Sequence, residues 1–176
     1  EIERKFTIKS LPADLDSYPF RIIEQAYLNT APVIRIRRED DSFYLTYKGK
    51  GLMAREEYNL PLDRASYEHL LPKADGSCIS KKRYLIPCPP YTIELDIFAE
   101  PFAPLIIAEV EFPSVEEANA FVPPEWFDRD VTHDPAYQNS NLSKMDRLIF
   151  SLPFQYNVSL IQLPDISVIL CDRSVG

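Results

Sequence analysis

The chain reads as a mainly β protein: an eight-stranded antiparallel sheet closed into a barrel, with a few short helices on its flanks. Three observations point there. Apolar and polar residues alternate with period two through the first two thirds of the 176 residues. The prolines from Pro12 to Pro113 fall between the alternating runs or at their ends, where a missing N–H does no harm to a ladder. Helix-start signals are few.

Residues 1–9 (EIERKFTIK) open the pattern, with Glu1, Glu3, Lys5, Thr7 and Lys9 on one face and Ile2, Phe6 and Ile8 on the other. Further strands are expected near 21–29, 33–39, 42–49, 52–60, 79–86, 92–99 and 105–112, each rich in β-branched or aromatic residues and bounded by turn residues. Lys48-Gly49-Lys50-Gly51 reads as the turn of a hairpin. Asp63 starts a short helix over RASYEHLL. Ser114-Val115-Glu116-Glu117 is a capping box that opens a second helix ending near Val122. Asp134-Pro135 places a cap residue before a proline and predicts a third. Residues 1–150 are expected as one domain. Residues 151–176, where SVILC could be a strand, form a tail of a different character.

The bulk numbers exclude some classes. With 45% hydrophobic and 26% charged residues, the chain has material for a core. A net charge of −8 argues against nucleic acid or an anionic membrane as partner, although local clustering can reverse the field inside a cleft. Most basic side chains lie before Phe112, so that half is nearly balanced. Cys78, Cys88 and Cys171 are odd in number and lack metal-type spacing, which predicts free thiols in a reducing, cytoplasmic setting. No run of about 20 apolar residues is present. No Walker-type glycine loop and no nucleophile elbow occur. His69, His133 and Trp126 read as structural residues.

The informative feature is the charge on the polar strand faces. Strand after strand carries spaced ionic residues: Glu1, Glu3 and Lys5; Arg35 and Arg37; Lys48; Arg55 and Glu57; Lys81 and Arg83; Glu94 and Asp96; Glu109 and Glu111. The opposite faces are apolar, as in Ile34 and Ile36, or Ile93, Leu95 and Ile97. Any one such pair is most simply a solvated surface ion pair. Repetition on six strands is hard to obtain from solubility alone. If the apolar faces turn outward under the helices, the charges line a lumen that admits side chains or one small ligand. Enclosed charges must be paired or coordinate something. The basic set suits phosphate oxygens. The carboxylates suit Mg2+ or Mn2+. A triphosphate carrying a divalent metal satisfies both.

These residues also resemble the CYTH family, the triphosphate tunnel metalloenzymes. The match starts at Glu1-Ile2-Glu3-Arg4-Lys5 and continues in family order. Gln25-Ala26-Tyr27-Leu28, Ile34-Arg35-Ile36-Arg37, Thr46-Tyr47-Lys48-Gly49 and Arg55-Glu56-Glu57-Tyr58 come first. Lys81-Lys82-Arg83-Tyr84, Ile93-Glu94-Leu95-Asp96 and Glu109-Val110-Glu111-Phe112 follow. Residues 134–142 (DPAYQNSNL) look like the terminal helix of compact bacterial members. The resemblance implies an eight-stranded tunnel and hydrolysis of inorganic, thiamine or nucleoside triphosphate. Adenylate cyclase activity and a noncatalytic polyphosphate-binding module are the alternatives. Carried over, Glu1, Glu3, Glu109 and Glu111 look like metal ligands, with Asp96 as helper. Lys5, Arg35, Arg37, Lys48, Arg55, Lys81 and Arg83 look like phosphate contacts. Glu1, Glu3 and Lys5 are the expected catalytic groups, Glu1 or Glu3 nearest the attacking water. Glu57, Glu94 and Tyr27 support them.

Overall fold

A computed structural model describes residues 1–145. Nine strands form one sheet: β1 (Glu3–Ile8), β2 (Phe20–Thr30), β3 (Val33–Glu39), β4 (Ser42–Lys48), β5 (Glu57–Leu62), β6 (Asp75–Cys88), β7 (Tyr91–Phe98), β8 (Ile106–Glu111) and β9 (Phe127–Asp130). Three helices accompany them: α1 (Arg64–Leu70), α2 (Val115–Ala120) and α3 (Asn139–Leu142). The spatial order is β5-β4-β3-β2-β6-β7-β8-β1-β9. Every pairing is antiparallel. The tail expected over 151–176 lies outside the described residues.

Mainly β with short helices is what the alternation predicts, but the closed eight-stranded barrel is not what forms. The sheet has nine strands and two edges, β5 and β9. Among the described residues, the stretch before β1 meets the stretch before β5 at an isolated bridge, Ile2 opposite Ala54, flanked by Glu3 N–H donating to the Met53 carbonyl at 2.9 Å and Arg55 N–H to the Glu1 carbonyl at 3.0 Å. The reason lies in residues 49–56. The tight turn expected at Lys48–Gly51 is the start of a longer connection, closed by Gly49 N–H on the Glu56 carbonyl at 2.9 Å. Gly51 has φ +126°, and a Cβ there would stand 2.1 Å from the Ala54 carbonyl oxygen, so only glycine allows the chain to fold back. β5 therefore starts at Glu57, five residues later than the alternation suggests. Pro61 is tolerated because β5 is an edge. β9, absent from the sequence expectation, adds to β1 through Phe6–Asp130 and Ile8–Phe127.

The helices keep their start signals. Asp63 accepts from Ser66 N–H and Ser114 from Glu117 N–H. The third helix is split: a 3-10 turn at Pro135–Tyr137 precedes the four residues of α3. Packing follows strand parity. Phe6, Leu95, Ala108 and Val110 face outward and are covered by Ala118, Phe121 and Trp126. Ala26, Ile36 and Phe43 face outward beneath Tyr67 of α1. The inner face is graded. Beyond its charged positions it continues as Ile79, Phe98 and Ile107, which pack with Tyr137 and Leu142 and seal that end with an apolar cluster.

Asp130 fastens β9 to β1. Its carboxylate accepts from Arg4 Nη2 at 2.6 Å and from Thr132 N–H at 2.9 Å, while Arg4 Nη1 donates to the Ala118 carbonyl at 2.8 Å. Partial burial opposes ionisation of Asp130, but the Thr132 and Arg4 bonds outweigh it and hold its pKa below the ordinary 3.8. A depressed carboxyl pKa contributes stability above the unfolded value that is lost as pH falls through the folded value. Native protein should therefore lose more melting temperature than Asp130→Asn between pH 5 and about pH 2.5. Parallel melting curves would dismiss the clamp.

Candidate active site

Parity and register build the site. β1 offers Glu3 and Lys5 inward, and β8 sets Glu111 opposite Glu3 and Glu109 opposite Lys5. β7 sets Glu94 beside Glu109, and β6 sets Arg83 beside Asp96. β2 sets Gln25 beside Arg37 and Tyr27 beside Arg35. Lys48 of β4 stands opposite Glu57 of β5. Two of these cross-strand pairs, Glu3–Glu111 and Glu94–Glu109, are like-charged, an arrangement that destabilises a sheet unless cations intervene.

The side chains converge on one open cavity. Glu1, Glu3, Lys5, Tyr27, Arg35, Arg37, Lys48, Arg55, Glu57, Arg83, Glu94, Glu109 and Glu111 all line it. Lys81 and Asp96, expected as a phosphate contact and a metal helper, do not. Both are fully buried and paired to each other, at the boundary where the inner face turns apolar. Asp96 is also gripped by Arg83 Nε and Nη2, each at 2.6 Å. The lining includes four residues to which the sequence reading gave no role: Val33, Gln138, Asn139 and Ser140. The last three come from the segment around the 3-10 turn and α3. The motif DPAYQNSNL marked that segment as a helix and gave no sign that it reaches the cavity.

Most carboxylates are held by cations. Glu1 accepts from Lys48 Nζ at 2.6 Å and Arg55 Nε at 2.8 Å. Glu3 pairs with Lys5 at 3.0 Å and Arg55 at 3.1 Å. Glu109 accepts from Lys5 and from Arg83 Nη2, the latter at 2.6 Å. Arg83 also donates to Glu94. Burial works against the charge on Lys5, yet Glu109 and Glu3 raise its pKa above the ordinary lysine range. Burial likewise opposes ionisation of Glu109, and Lys5, Lys81 and Arg83 drive its pKa well below the ordinary value.

Charge is left over at two places. Arg35 is buried and has no carboxylate in ion-pair range among the described residues. Beside it Arg37 reaches Glu39 only at 3.8 Å, and burial, then Arg35 and Arg83, lower its pKa to about 10. Nε of both guanidinium groups is buried without a partner. At the other place Glu111 has no cationic partner among the described residues. Burial, then Glu94, Glu1 and Glu3, push its carboxyl up to about 7. Gln25, fully buried, joins the cationic side together: its Nε2 donates to the Tyr27 hydroxyl at 2.8 Å, and its Oε1 accepts from Arg37 Nη2 at 3.0 Å. Uncharged and set in an alternating run, Gln25 carries no local mark of that role.

The cavity thus has one wall with unspent positive charge and one with unspent negative charge. Among the described residues no three carboxylates meet at a metal-binding distance, because most are turned onto lysine or arginine. Their oxygen donors are still the type that Mg2+ and Mn2+ take.

Fold and cavity together define a class of protein in which an antiparallel sheet curves its charged face around an open cavity. The CYTH domain family model matches residues 1–120. The chain belongs to the CYTH domain family. An inorganic triphosphatase of Nitrosomonas europaea is 38% identical over 148 residues, covering 81% of this chain and 96% of the relative. An inorganic triphosphatase of Acetivibrio thermocellus is 36% identical over 154 residues, covering 82% and 93%. A crystal structure of an inorganic triphosphatase superposes with TM-score 0.63 at 34% identity, covering 83% of this chain and 95% of that one.

Proposed function

We propose that this protein hydrolyses inorganic triphosphate in its charged cavity with the help of a divalent metal. The observation that carries the reading is Arg35, a buried cation beside Arg37 that has no carboxylate of its own among the described residues, in a cavity where those residues likewise leave Glu111 without a cation. A multiply charged anion answers the first, and a metal cation the second. The names of the two bacterial relatives support the substrate. So does the lining: apart from Val33 and Tyr27 every residue around the cavity is charged or polar, which offers a purine or thiazole no apolar slot.

In this reading Arg35, Arg37, Lys48, Arg55 and Lys5 bind the phosphate oxygens, Arg35 and Arg37 by two-point contact, and Arg83, most of whose donors go to Glu94, Asp96 and Glu109, adds at most one N–H. The Tyr27 hydroxyl accepts from Gln25 and keeps its own hydrogen to offer a phosphate oxygen. Phosphates that take Lys5, Lys48 and Arg55 release Glu1, Glu3 and Glu109, which with Glu111 form the donor set for Mg2+ or Mn2+. The metal supplies charge neutralisation on the phosphate oxygens. Glu1 or Glu3 then orients the attacking water, and the arginines steady the pyrophosphate as it leaves.

A panel of inorganic triphosphate, ATP and thiamine triphosphate, with Mg2+ and Mn2+ and detection of phosphate, pyrophosphate and cyclic AMP, tests this. Inorganic triphosphate should turn over fastest. Cyclic AMP as the main product, or no phosphate from any substrate with either metal, would overturn the reading.

A further inference from the structure

The cavity wall is charged almost throughout, but one stretch of it is neutral and hydrogen-bonding: Gln138, Asn139 and Ser140. This stretch is fixed firmly. Tyr137 is buried in the apolar cluster that seals the inner face, and Arg129 Nη2 donates to its hydroxyl at 3.1 Å. Leu142 is buried in the same cluster. Asn141 Nδ2 donates to the Pro135 carbonyl at 2.8 Å, closing the segment on itself. Ser77 N–H donates to the Ser143 carbonyl at 2.7 Å and ties it to β6. The approach is close enough that a Cβ on Gly76, whose φ is +66°, would lie 2.2 Å from that carbonyl oxygen.

A segment held so firmly could have satisfied its own polar groups, yet it does not. Gln138 is 5% exposed, and its Nε2 is buried without a hydrogen-bond partner among the described residues. Asn139 Oδ1 beside it is in the same condition. An unmade hydrogen bond on a buried amide costs stability, and such groups in a cavity wall point to a ligand that completes them. They share that condition with Nε of Arg35 and Arg37, the groups that leave positive charge over in the same cavity.

We propose that Gln138 is a substrate contact, its carboxamide N–H2 donating to a phosphate oxygen of the triphosphate where residues 138–140 line the cavity. The inference rests on the triphosphatase reading and extends it to a residue outside the charged set. A carboxamide there gives a phosphate oxygen a donor without adding charge to a cavity whose ionic groups are already largely balanced. An N–H bonded to an anionic oxygen is among the stronger protein hydrogen bonds.

The test is Gln138→Met, close in length and without the amide, in the full chain. Its kcat/KM for inorganic triphosphate should fall about tenfold, the loss of one bond to a charged acceptor. Its melting temperature should not fall, because the substitution removes a buried polar atom that nothing satisfies. Gln138→Glu, which sets a carboxylate against the phosphate, should lose more activity than Gln138→Met. An unchanged kcat/KM in Gln138→Met, or lost activity accompanied by a lower melting temperature in both variants, overturns the contact while the triphosphatase reading stands. A native chain that turns over no triphosphate overturns both.

Discussion

Arg83→Ala is expected to cost about 3–5 kcal/mol of stability, the largest loss from any single change in the charged network. Arg83 is 7% exposed and binds three carboxylates at once: Glu94, Asp96 through two nitrogens at 2.6 Å, and Glu109 at 2.6 Å. Burial opposes its charge, but Asp96 and Glu94 raise its pKa further above the ordinary value. Truncation leaves Asp96, fully buried, to Lys81 alone. That lysine is a weak replacement. Burial lowers its pKa to about 8 even with Asp96 beside it. Glu94 and Glu109, paired across β7 and β8, would then face one another without the cation between them. Urea unfolding measures the effect, and a drop in melting temperature on the order of 10 °C should accompany it. Arg83→Lys, which keeps charge but loses the fork, should fall between native and alanine. A loss under about 1 kcal/mol for Arg83→Ala would mean that the buried carboxylates take up protons or water at little cost, and that the network is not what holds β6, β7 and β8 in place.

How much of this was legible in the sequence depends on which residues are asked about. Period two assigns a face, and the face was right wherever the strand was right: Glu3 and Lys5, Arg35 and Arg37, Glu109 and Glu111 all turn to one cavity. Period two assigns no depth. Lys81 and Asp96 share a face with Arg83 and Glu94, yet they lie two residues further toward the apolar end and are sealed under Phe98 and Ile79. Only the register between strands reveals that gradient. The position of β5 was misread because Gly51 permits a reversal that the alternating residues 52–60 conceal. β9 has four residues, too few to show a period. Gln138 and Asn139 were unreadable for a third reason. Their place at the cavity comes from long-range packing, through Tyr137, Leu142 and the Gly76–Ser143 approach, and no local pattern encodes it. Glu111 looked like any other member of the acidic set. What sets it apart is the lack of a cation among the described residues, a property of the assembled site.

Arg35→Ala should show the reverse signature: turnover of triphosphate down by about 10²–10³-fold, with stability unchanged or slightly raised. The two arginines are buried to a similar degree, at 5% and 7% exposure, and differ in what they face. Arg83 is saturated with carboxylates, so the native fold depends on it. Among the described residues Arg35 has none, and its Nε lacks a partner, so the folded chain carries it at a cost. Such a cost is maintained only where a ligand repays it. Binding should reveal the same asymmetry. Triphosphate added to the native protein should raise the melting temperature by mass action, and the rise should shrink in Arg35→Ala. Arg37→Ala provides the control, since Arg37 retains Gln25 and a distant Glu39 and should lose less stabilisation by ligand than Arg35→Ala. If Arg35→Ala kept more than a tenth of native turnover, or melted well below the native chain, the unpaired guanidinium would be a structural group, and the positive wall of the cavity would have to be sought among Lys48, Arg55 and Arg83 instead.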